Sequence, residues 1–215
     1  MCGITGIYTF RDNATLYRKN VEDAVHAIQN RGPDNNGIYS FNNIILGHSR
    51  LSIIDVSDAA SQPFTDVSGR YTIVFNGEFY NFKEHKKELE KKGIVFRSNS
   101  DTEVLLYLYI REGTAALKKV NGFFAFAIFD KEENSVFIAR DRMGIKPLYY
   151  FFNDERFVFA SELKALLSYE IPKELDSTSL FQYFQHNYIA GPSTVFKNVF
   201  KLKPGTFLQV TDKGV

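Results

Sequence analysis

The residue with the clearest chemical potential is Cys2, which is the only cysteine among 215 residues and directly follows Met1. If an aminopeptidase removes Met1, Cys2 carries both a thiol and a free α-amine. The unperturbed pKa of an α-amine is about 7.7–8.0, against about 8.5 for a thiol, so the amine can accept the thiol proton near neutral pH. The alternative is a small apolar residue that opens a buried strand, and a lone cysteine taken by itself favours that alternative.

Short motifs spread along the chain change this balance. They are the segment from Met1 to Ile7, Arg31-Gly-Pro-Asp34, the segment from His48 to Asp55, Asn76-Gly-Glu-Phe-Tyr-Asn81, Ser100-Asp-Thr-Glu103 and the segment from Ala139 to Tyr149. In this order they resemble the glutaminase domain of class II glutamine amidotransferases, specifically the asparagine synthetase branch. The Arg-Gly-Pro-Asp and Asn-Gly-Glu-aromatic-Tyr-Asn runs distinguish that branch from phosphoribosyl and aminosugar amidotransferases.

The resemblance implies a fold and a reaction. The fold is α+β, a four-layer αββα sandwich of the N-terminal-nucleophile hydrolase type. The reaction converts glutamine and water to glutamate and ammonia through a γ-glutamyl thioester on Cys2. Asn76 and Gly77 match the oxyanion hole of the family, where the loss of one donor typically costs about 10²–10³ in rate. Without the motif, Asn-Gly is a common turn.

The resemblance also implies a pocket that binds both ends of glutamine. Arg50 matches the residue that binds the α-carboxylate, for which a guanidinium fork is well suited. Asp101 matches the residue that accepts the α-ammonium, with Glu78 beside it, although Asp101 also lies within a helix-capping pattern. Backbone groups around three further residues are implied to line the pocket, namely Leu51, Ile53 and Ile54.

Other polar residues are left outside the predicted site. Arg31 and Asp34 fit a salt-bridged turn as well as a site loop. His48 shares a strand face with Arg50, but the family chemistry uses no histidine, so we interpret it as packed or hydrogen-bonded. The charged run 140–142 lacks a glycine-rich phosphate cradle and is interpreted as structural.

The elements that would position these residues follow from patterning. Apolar runs rich in Phe, Tyr and β-branched residues predict strands at 3–10, in about 37–56, after the helices up to about 160, and near 206–211. Helical spacing predicts helices within 13–30, at about 82–92, from the Ser100 capping box to Gly113, at 162–168 and at 176–187. Clustered strands with separate helices indicate α+β rather than βαβ alternation.

Composition limits the function further. Lys plus Arg number 26 and Asp plus Glu 25, for a formal charge of +1, which disfavours a nucleic-acid partner. No apolar run reaches the length of a membrane span or a secretory signal. One cysteine excludes an internal disulfide and a cysteine-rich metal site. We expect a cytoplasmic protein with no metal or other cofactor in this domain.

The resemblance also implies that the chain is the first domain of a longer protein. We expect residues 1–190 to form the amidotransferase domain and 191–215 to be its end and the approach to a synthetase domain absent from this sequence. That domain, joined in cis, is expected to bind ATP and Mg²⁺ and to amidate aspartate or another carboxylate. Oligomerisation is left open. A retained Met1 would block the amine and leave the site inactive.

Two other function classes stay open on residue types alone. One is an N-terminal-nucleophile amidase acting on a different amide, which the pairing of Arg50 with Asp101 disfavours. The other is a binding or regulatory module whose glutaminase is silent, which the presence of Cys2 disfavours.

Overall fold

Two sheets form the centre of the molecule, which we describe from a computed structural model covering all residues 1–215. In chain order the strands are β1 Gly3–Thr9, β2 Asn35–Phe41, β3 Ile44–Arg50, β4 Phe64–Thr65, β5 Tyr71–Phe79, β6 Gly122–Asp130, β7 Ser135–Arg140, β8 Tyr149–Phe152, β9 Arg156–Ala160, β10 Val199–Lys201 and β11 Phe207–Val210. They form a six-stranded sheet, ordered β10-β8-β9-β1-β3-β2, and a five-stranded sheet, ordered β11-β7-β6-β5-β4. Every strand pairing is antiparallel.

Helices cover the outer faces of both sheets. The α-helices are α1 Arg18–Ala27, α2 Phe82–Lys91, α3 Asp101–Glu112, α4 Leu163–Leu166 and α5 Ser177–His186. Buried residues of α1 and α4 share an apolar cluster with the six-stranded sheet, and those of α2 and α3 share one with the five-stranded sheet. The predicted αββα sandwich is therefore confirmed.

A third apolar cluster fills the space between the two sheets, and strand alternation decides its members. Successive side chains of a strand point to opposite faces, so every second residue faces the other sheet. Ile4 and Tyr8 of β1, Leu46 of β3 and Val74 of β5 lie in this cluster, and all occupy even-numbered positions. Ile7 and Ile45, at odd positions, pack against α1 instead.

Two predicted boundaries need correction. The expected strands in 37–56 end at Arg50, and residues 51–56 form a loop. The reason is that Arg50 donates hydrogen bonds to backbone carbonyls of Asp55 and Ser57, which folds the chain back instead of extending it. The helical segment within 13–30 begins and ends in 3₁₀ turns, at Ala14–Tyr17 and Gln29–Arg31, on either side of α1.

The start of α3 matters for the site. Ser100 is the N-cap, because its hydroxyl accepts a hydrogen bond from the Glu103 N–H at 3.3 Å. Asp101 is therefore the first helical residue and not the cap. The Glu103 carboxylate accepts from the Arg97 and Ser98 N–H groups, which fixes the chain that enters the helix.

None of the helices is long and apolar enough to cross a membrane.

Candidate active site

A cleft opens where the apolar layer between the sheets ends. The alternation that buries Ile4, Leu46 and Val74 continues along the same strands and gives the same inward direction to Cys2, Arg50 and Asn76. The β1–β3 register pairs Gly3 with Ser49, so its continuation by one residue places Cys2 opposite Arg50. All three residues line one cleft, together with Glu78 and Asp101.

Cys2 is half-buried at the start of β1 and faces the backbone of Leu51. The Leu51 N–H lies 3.4 Å from Cys2 Sγ, and the thiol lies 3.6 Å from the Leu51 carbonyl oxygen. Burial raises the pKa of the Cys2 thiol, while the Leu51 N–H and the positive amino terminus oppose that shift. The thiol is thus held protonated in the resting site, so a nucleophilic thiolate requires a nearby base.

Met1 occupies the mouth of this cleft. Its side chain is exposed, and its sulfur accepts a hydrogen bond from Lys146 Nζ at 3.2 Å. With Met1 in place the nitrogen of Cys2 is a peptide N–H and cannot accept a proton. Removal of Met1 would expose an α-amine directly beside the thiol.

Asn76 carries the most unusual feature of the cleft. Its side chain is only 1% exposed, and neither the amide nitrogen nor the amide oxygen has a hydrogen-bonding partner within the protein. Buried polar groups are nearly always hydrogen-bonded, because an unpaired one costs about 1–3 kcal/mol. An amide left unpaired in a cleft next to a thiol is well suited to bind a polar atom of a ligand.

Gly77 allows β5 to lie close to β6 at this point. A Cβ atom at Gly77 would lie 2.4 Å from the Phe123 carbonyl oxygen and 2.8 Å from Phe124 Cα, both of which are backbone atoms. No other residue type fits without moving the strands apart. The sequence requirement for glycine here therefore comes from the close strand packing.

Arg50 organises the wall of the cleft. Arg50 is 6% exposed, and its guanidinium donates to the Ser57 carbonyl at 3.0 Å, to Ser61 Oγ at 3.4 Å and to the Asp55 carbonyl. The loop 51–61 is wrapped around this side chain. The predicted residues Leu51, Ile53 and Ile54 lie on that loop and line the cleft, although Ile53 is 62% exposed.

Asp101 and Glu78 provide the negative charge on the opposite wall. Asp101 Oδ2 accepts the Phe79 N–H at 3.0 Å, which fixes the carboxylate at the end of β5. Burial raises the pKa of Asp101 to about 6, and the nearby Glu78 charge adds to the rise, against the opposing Phe79 hydrogen bond. A buried carboxyl with a raised pKa gains from a cationic partner, which would restore its charged form.

The structure thus brings together every residue predicted for the site: Cys2, Arg50, Leu51, Ile53, Ile54, Asn76, Gly77, Glu78 and Asp101. It also shows contacts that the motifs did not indicate. Arg31, which was left outside the predicted site, donates to the Cys2 carbonyl at 2.9 Å and pairs with Glu162 at 2.8 Å. Lys146 and Gln62 line the cleft as well.

His48 and the charged run 140–142 take structural positions. His48 is fully buried, its Nε2 lies 3.3 Å from the Phe75 carbonyl oxygen, and burial lowers the pKa of His48 to about 3. The ring is therefore neutral and donates to that carbonyl. Arg140 donates to three backbone carbonyls, those of Gly144, Lys146 and Leu202.

The side chains capable of binding metal are dispersed. No group of three or more His, Cys, Asp or Glu residues lies close enough together to hold a metal ion.

Comparison with known proteins places the whole chain in one family. A family described as "Glutamine amidotransferase domain" matches residues 1–215. The chain is 35% identical over 219 residues to asparagine synthetase (glutamine-hydrolyzing) 3 of Bacillus subtilis strain 168, an alignment that covers 100% of this chain and 36% of the relative. It is 38% identical over 220 residues to asparagine synthetase (glutamine-hydrolyzing) 1 of the same organism, covering 100% of this chain and 34% of the relative. The chain therefore spans about a third of the length of these relatives.

A solved structure shares the fold. Glutamine phosphoribosylpyrophosphate amidotransferase from B. subtilis superposes with a TM-score of 0.73 at 22% sequence identity, over 99% of this chain and 48% of the other. The four-layer architecture is thus common to both.

The raised pKa of Asp101 generates a prediction about stability. Its folded-state pKa of about 6 exceeds the ordinary 3.8, so the folded chain holds this proton more tightly than the unfolded chain. This contribution to stability is complete below about pH 4 and is lost as the pH rises through 6. We expect Asp101→Asn to raise the free energy of unfolding at pH 7.5 by up to about 3 kcal/mol.

Urea unfolding of both proteins between pH 4.5 and 8 measures the effect. The difference in unfolding free energy should grow up to about pH 7 and then level off. Asp154→Asn, which changes an exposed loop carboxylate remote from the cleft, serves as the matched control. A difference for Asp101→Asn that stays constant or shrinks as the pH rises would contradict the assignment.

Proposed function

The chain belongs to the glutamine amidotransferase domain family, and from that premise we propose that it hydrolyses glutamine to glutamate and ammonia through a thioester on Cys2. The observation that carries the proposal is the buried, unpaired amide of Asn76 in the same cleft as the Cys2 thiol. A nucleophile needs a partner that stabilises the negative charge it creates, and this amide is a preorganised donor.

Before the first turnover, Met1 is removed. The freed α-amine of Cys2 takes the thiol proton, and the thiolate attacks the side-chain amide carbon of glutamine. The carbonyl oxygen becomes an oxyanion, which accepts hydrogen bonds from the Asn76 side-chain amide and the Gly77 N–H. The carbon–nitrogen bond then breaks, ammonia leaves with the proton held by the amine, and water hydrolyses the resulting thioester to glutamate.

Recognition of glutamine depends on charge at both ends of the substrate. The Arg50 guanidinium binds the α-carboxylate, and its side chain is already fixed by the loop that it organises. Asp101, with Glu78 beside it, binds the α-ammonium, and that cation favours the charged form of the Asp101 carboxyl. Backbone groups of Leu51, Ile53 and Ile54 complete the wall.

We propose that this chain is part of a longer protein, in which the ammonia is used by a second reaction. The matched relatives are about three times as long as this chain. We propose that a synthetase domain joined in cis, at the end of residues 191–215, binds ATP and Mg²⁺ and amidates aspartate or a related carboxylate. A lone thiol suits a reducing, cytoplasmic location.

Replacement of the nucleophile tests the chemical step. We expect Cys2→Ala to reduce ammonia release from glutamine by at least about 10³-fold, since no other group in the cleft forms the thioester. Glutamine binding, measured by titration calorimetry, should stay within a few-fold of wild type, since Arg50 and Asp101 are untouched. Turnover by Cys2→Ala at the wild-type rate would refute the nucleophile assignment.

Replacement of the carboxylate-binding residue tests recognition. Arg50→Lys keeps the charge but loses the paired donors of the guanidinium, so we expect the KM for glutamine to rise about 10- to 100-fold. For 4-aminobutanamide, which lacks the α-carboxylate, kcat/KM should fall much less than for glutamine, because only the contacts of Arg50 with its loop are weakened. Arg142→Lys is the matched control, because Arg142 donates to backbone carbonyls of Leu117, Lys118 and Val120, away from the cleft. An unchanged KM for glutamine in Arg50→Lys would mean that the carboxylate binds elsewhere.

A further inference from the structure

Gln62 lies beside β5 at the edge of the five-stranded sheet, where the neighbouring strand β4 is too short to pair with all of β5. The short strand β4 pairs with β5 at only two positions, Phe64 with Ile73 and Thr65 with Thr72. Beyond that pairing, the backbone of β5 has no neighbouring strand on this side as it approaches Asn76. A buried backbone N–H without a strand partner must find another acceptor.

The side chain of Gln62 supplies that acceptor. Its Oε1 lies 2.6 Å from the Phe75 nitrogen, so it accepts the hydrogen bond that a longer β4 would have taken. Phe75 immediately precedes Asn76, and its carbonyl oxygen lies against His48 Nε2 from the opposite sheet. The peptide groups that lead into the proposed oxyanion hole are therefore held from two sides.

The same amide reaches a second element of the site. Gln62 Nε2 lies 3.2 Å from Thr102 Oγ1, and Thr102 follows Asp101 in the first turn of α3. Gln62 is 9% exposed and Thr102 4% exposed, so water competes little for either contact. One side chain thus bridges the strand that carries Asn76 and the helix that carries Asp101.

The amide orientation follows from its partners. The Phe75 N–H is a donor, so the Gln62 atom facing it is the oxygen, and the NH₂ group faces the Thr102 hydroxyl. Glutamine is suited to this position because a single planar group offers an acceptor on one side and a donor on the other. A thioether of similar length offers no donor and only a weak acceptor.

We propose that Gln62 is a positioning residue that couples the binding of the substrate α-ammonium at Asp101 to the placement of the oxyanion donor Asn76. The inference rests on the proposed glutaminase function for its catalytic consequence. Binding of the ammonium fixes the first turn of α3, and the Thr102–Gln62–Phe75 hydrogen bonds transmit that constraint to β5. The oxyanion hole is then most rigid when an amino acid, rather than a plain amide, occupies the cleft.

The kinetic test is a double-mutant cycle. We expect Gln62→Met to lower kcat for glutamine about 10- to 100-fold, the size of effect that a misplaced catalytic group produces. Thr102→Val should lower kcat in the wild-type background and have no further effect in the Gln62→Met background, because the bridge is then already broken. Thr102→Ser, which keeps the hydroxyl, should recover wild-type kcat.

A matched control separates coupling from general loosening of the sheet. Thr65→Val breaks the Thr65–Thr72 hydroxyl contact between β4 and β5, at 2.9 Å, without touching the cleft. It should leave kcat unchanged. Additive effects of Gln62→Met and Thr102→Val, or an equal loss of kcat in Thr65→Val, would overturn the inference.

A second measurement needs no catalysis. Amide hydrogen exchange of Phe75, followed by NMR on the ¹⁵N-labelled protein, should be at least about tenfold faster in Gln62→Met than in Thr65→Val. It should also be faster in Thr102→Val, although the Phe75 N–H donates to Gln62 and not to Thr102. Unchanged Phe75 exchange in both Gln62→Met and Thr102→Val would overturn the inference. A wild-type protein without glutaminase activity would instead overturn the proposed function, and the exchange data would still decide whether Gln62 links the two elements.

Discussion

The apolar contact between the two sheets is the constraint on which the rest of the molecule depends. Each strand must present every second side chain to the opposite sheet, so the period of two that buries Ile4, Leu46 and Val74 also determines which residues face inward where the sheets part. At that end the inward positions change from apolar side chains to Cys2, Arg50 and Asn76. These three residues thus share one cleft because they continue the inward positions of the paired strands β1 and β3 and of β5 in the facing sheet.

The cleft holds its polar groups at a cost in stability. The unpaired Asn76 amide and the buried Asp101 carboxyl, whose pKa is raised to about 6, would both be more favourable with a partner. A zwitterionic amino acid with a side-chain amide offers one to each. The fixed contacts of Arg50 and Gln62 limit how far the walls of the cleft can move. Catalytic sites commonly take this form, since donors held in place need no rearrangement when charge develops.

Sequence patterning predicted the strands, the helices and the α+β class, and the family resemblance of the motifs implied the four-layer sandwich and the site residues. Apolar runs rich in aromatic and β-branched residues indicated the strands, and the Ser100 capping pattern indicated α3. The motifs indicated nine site residues, all of which line the cleft together with others that the motifs did not indicate. The features that patterning missed depend on contacts between segments that are distant in the sequence. The 51–56 segment has strand-like composition, but the Arg50 guanidinium folds it into a loop. Gln62 and Arg31 gain their contacts only when distant segments meet, so no local spacing signals them.

The central claim is that a processed Cys2 is a nucleophile in a pocket shaped for glutamine. The most direct measurement is the intact mass of protein confirmed to begin at Cys2, before and after incubation with 6-diazo-5-oxo-L-norleucine, a glutamine analogue that alkylates such thiols. We predict a single adduct, located on Cys2 by peptide mapping, whose formation L-glutamine slows and D-glutamine does not. A processed chain that stays unlabelled, or an adduct that forms equally in Cys2→Ala, would contradict the account.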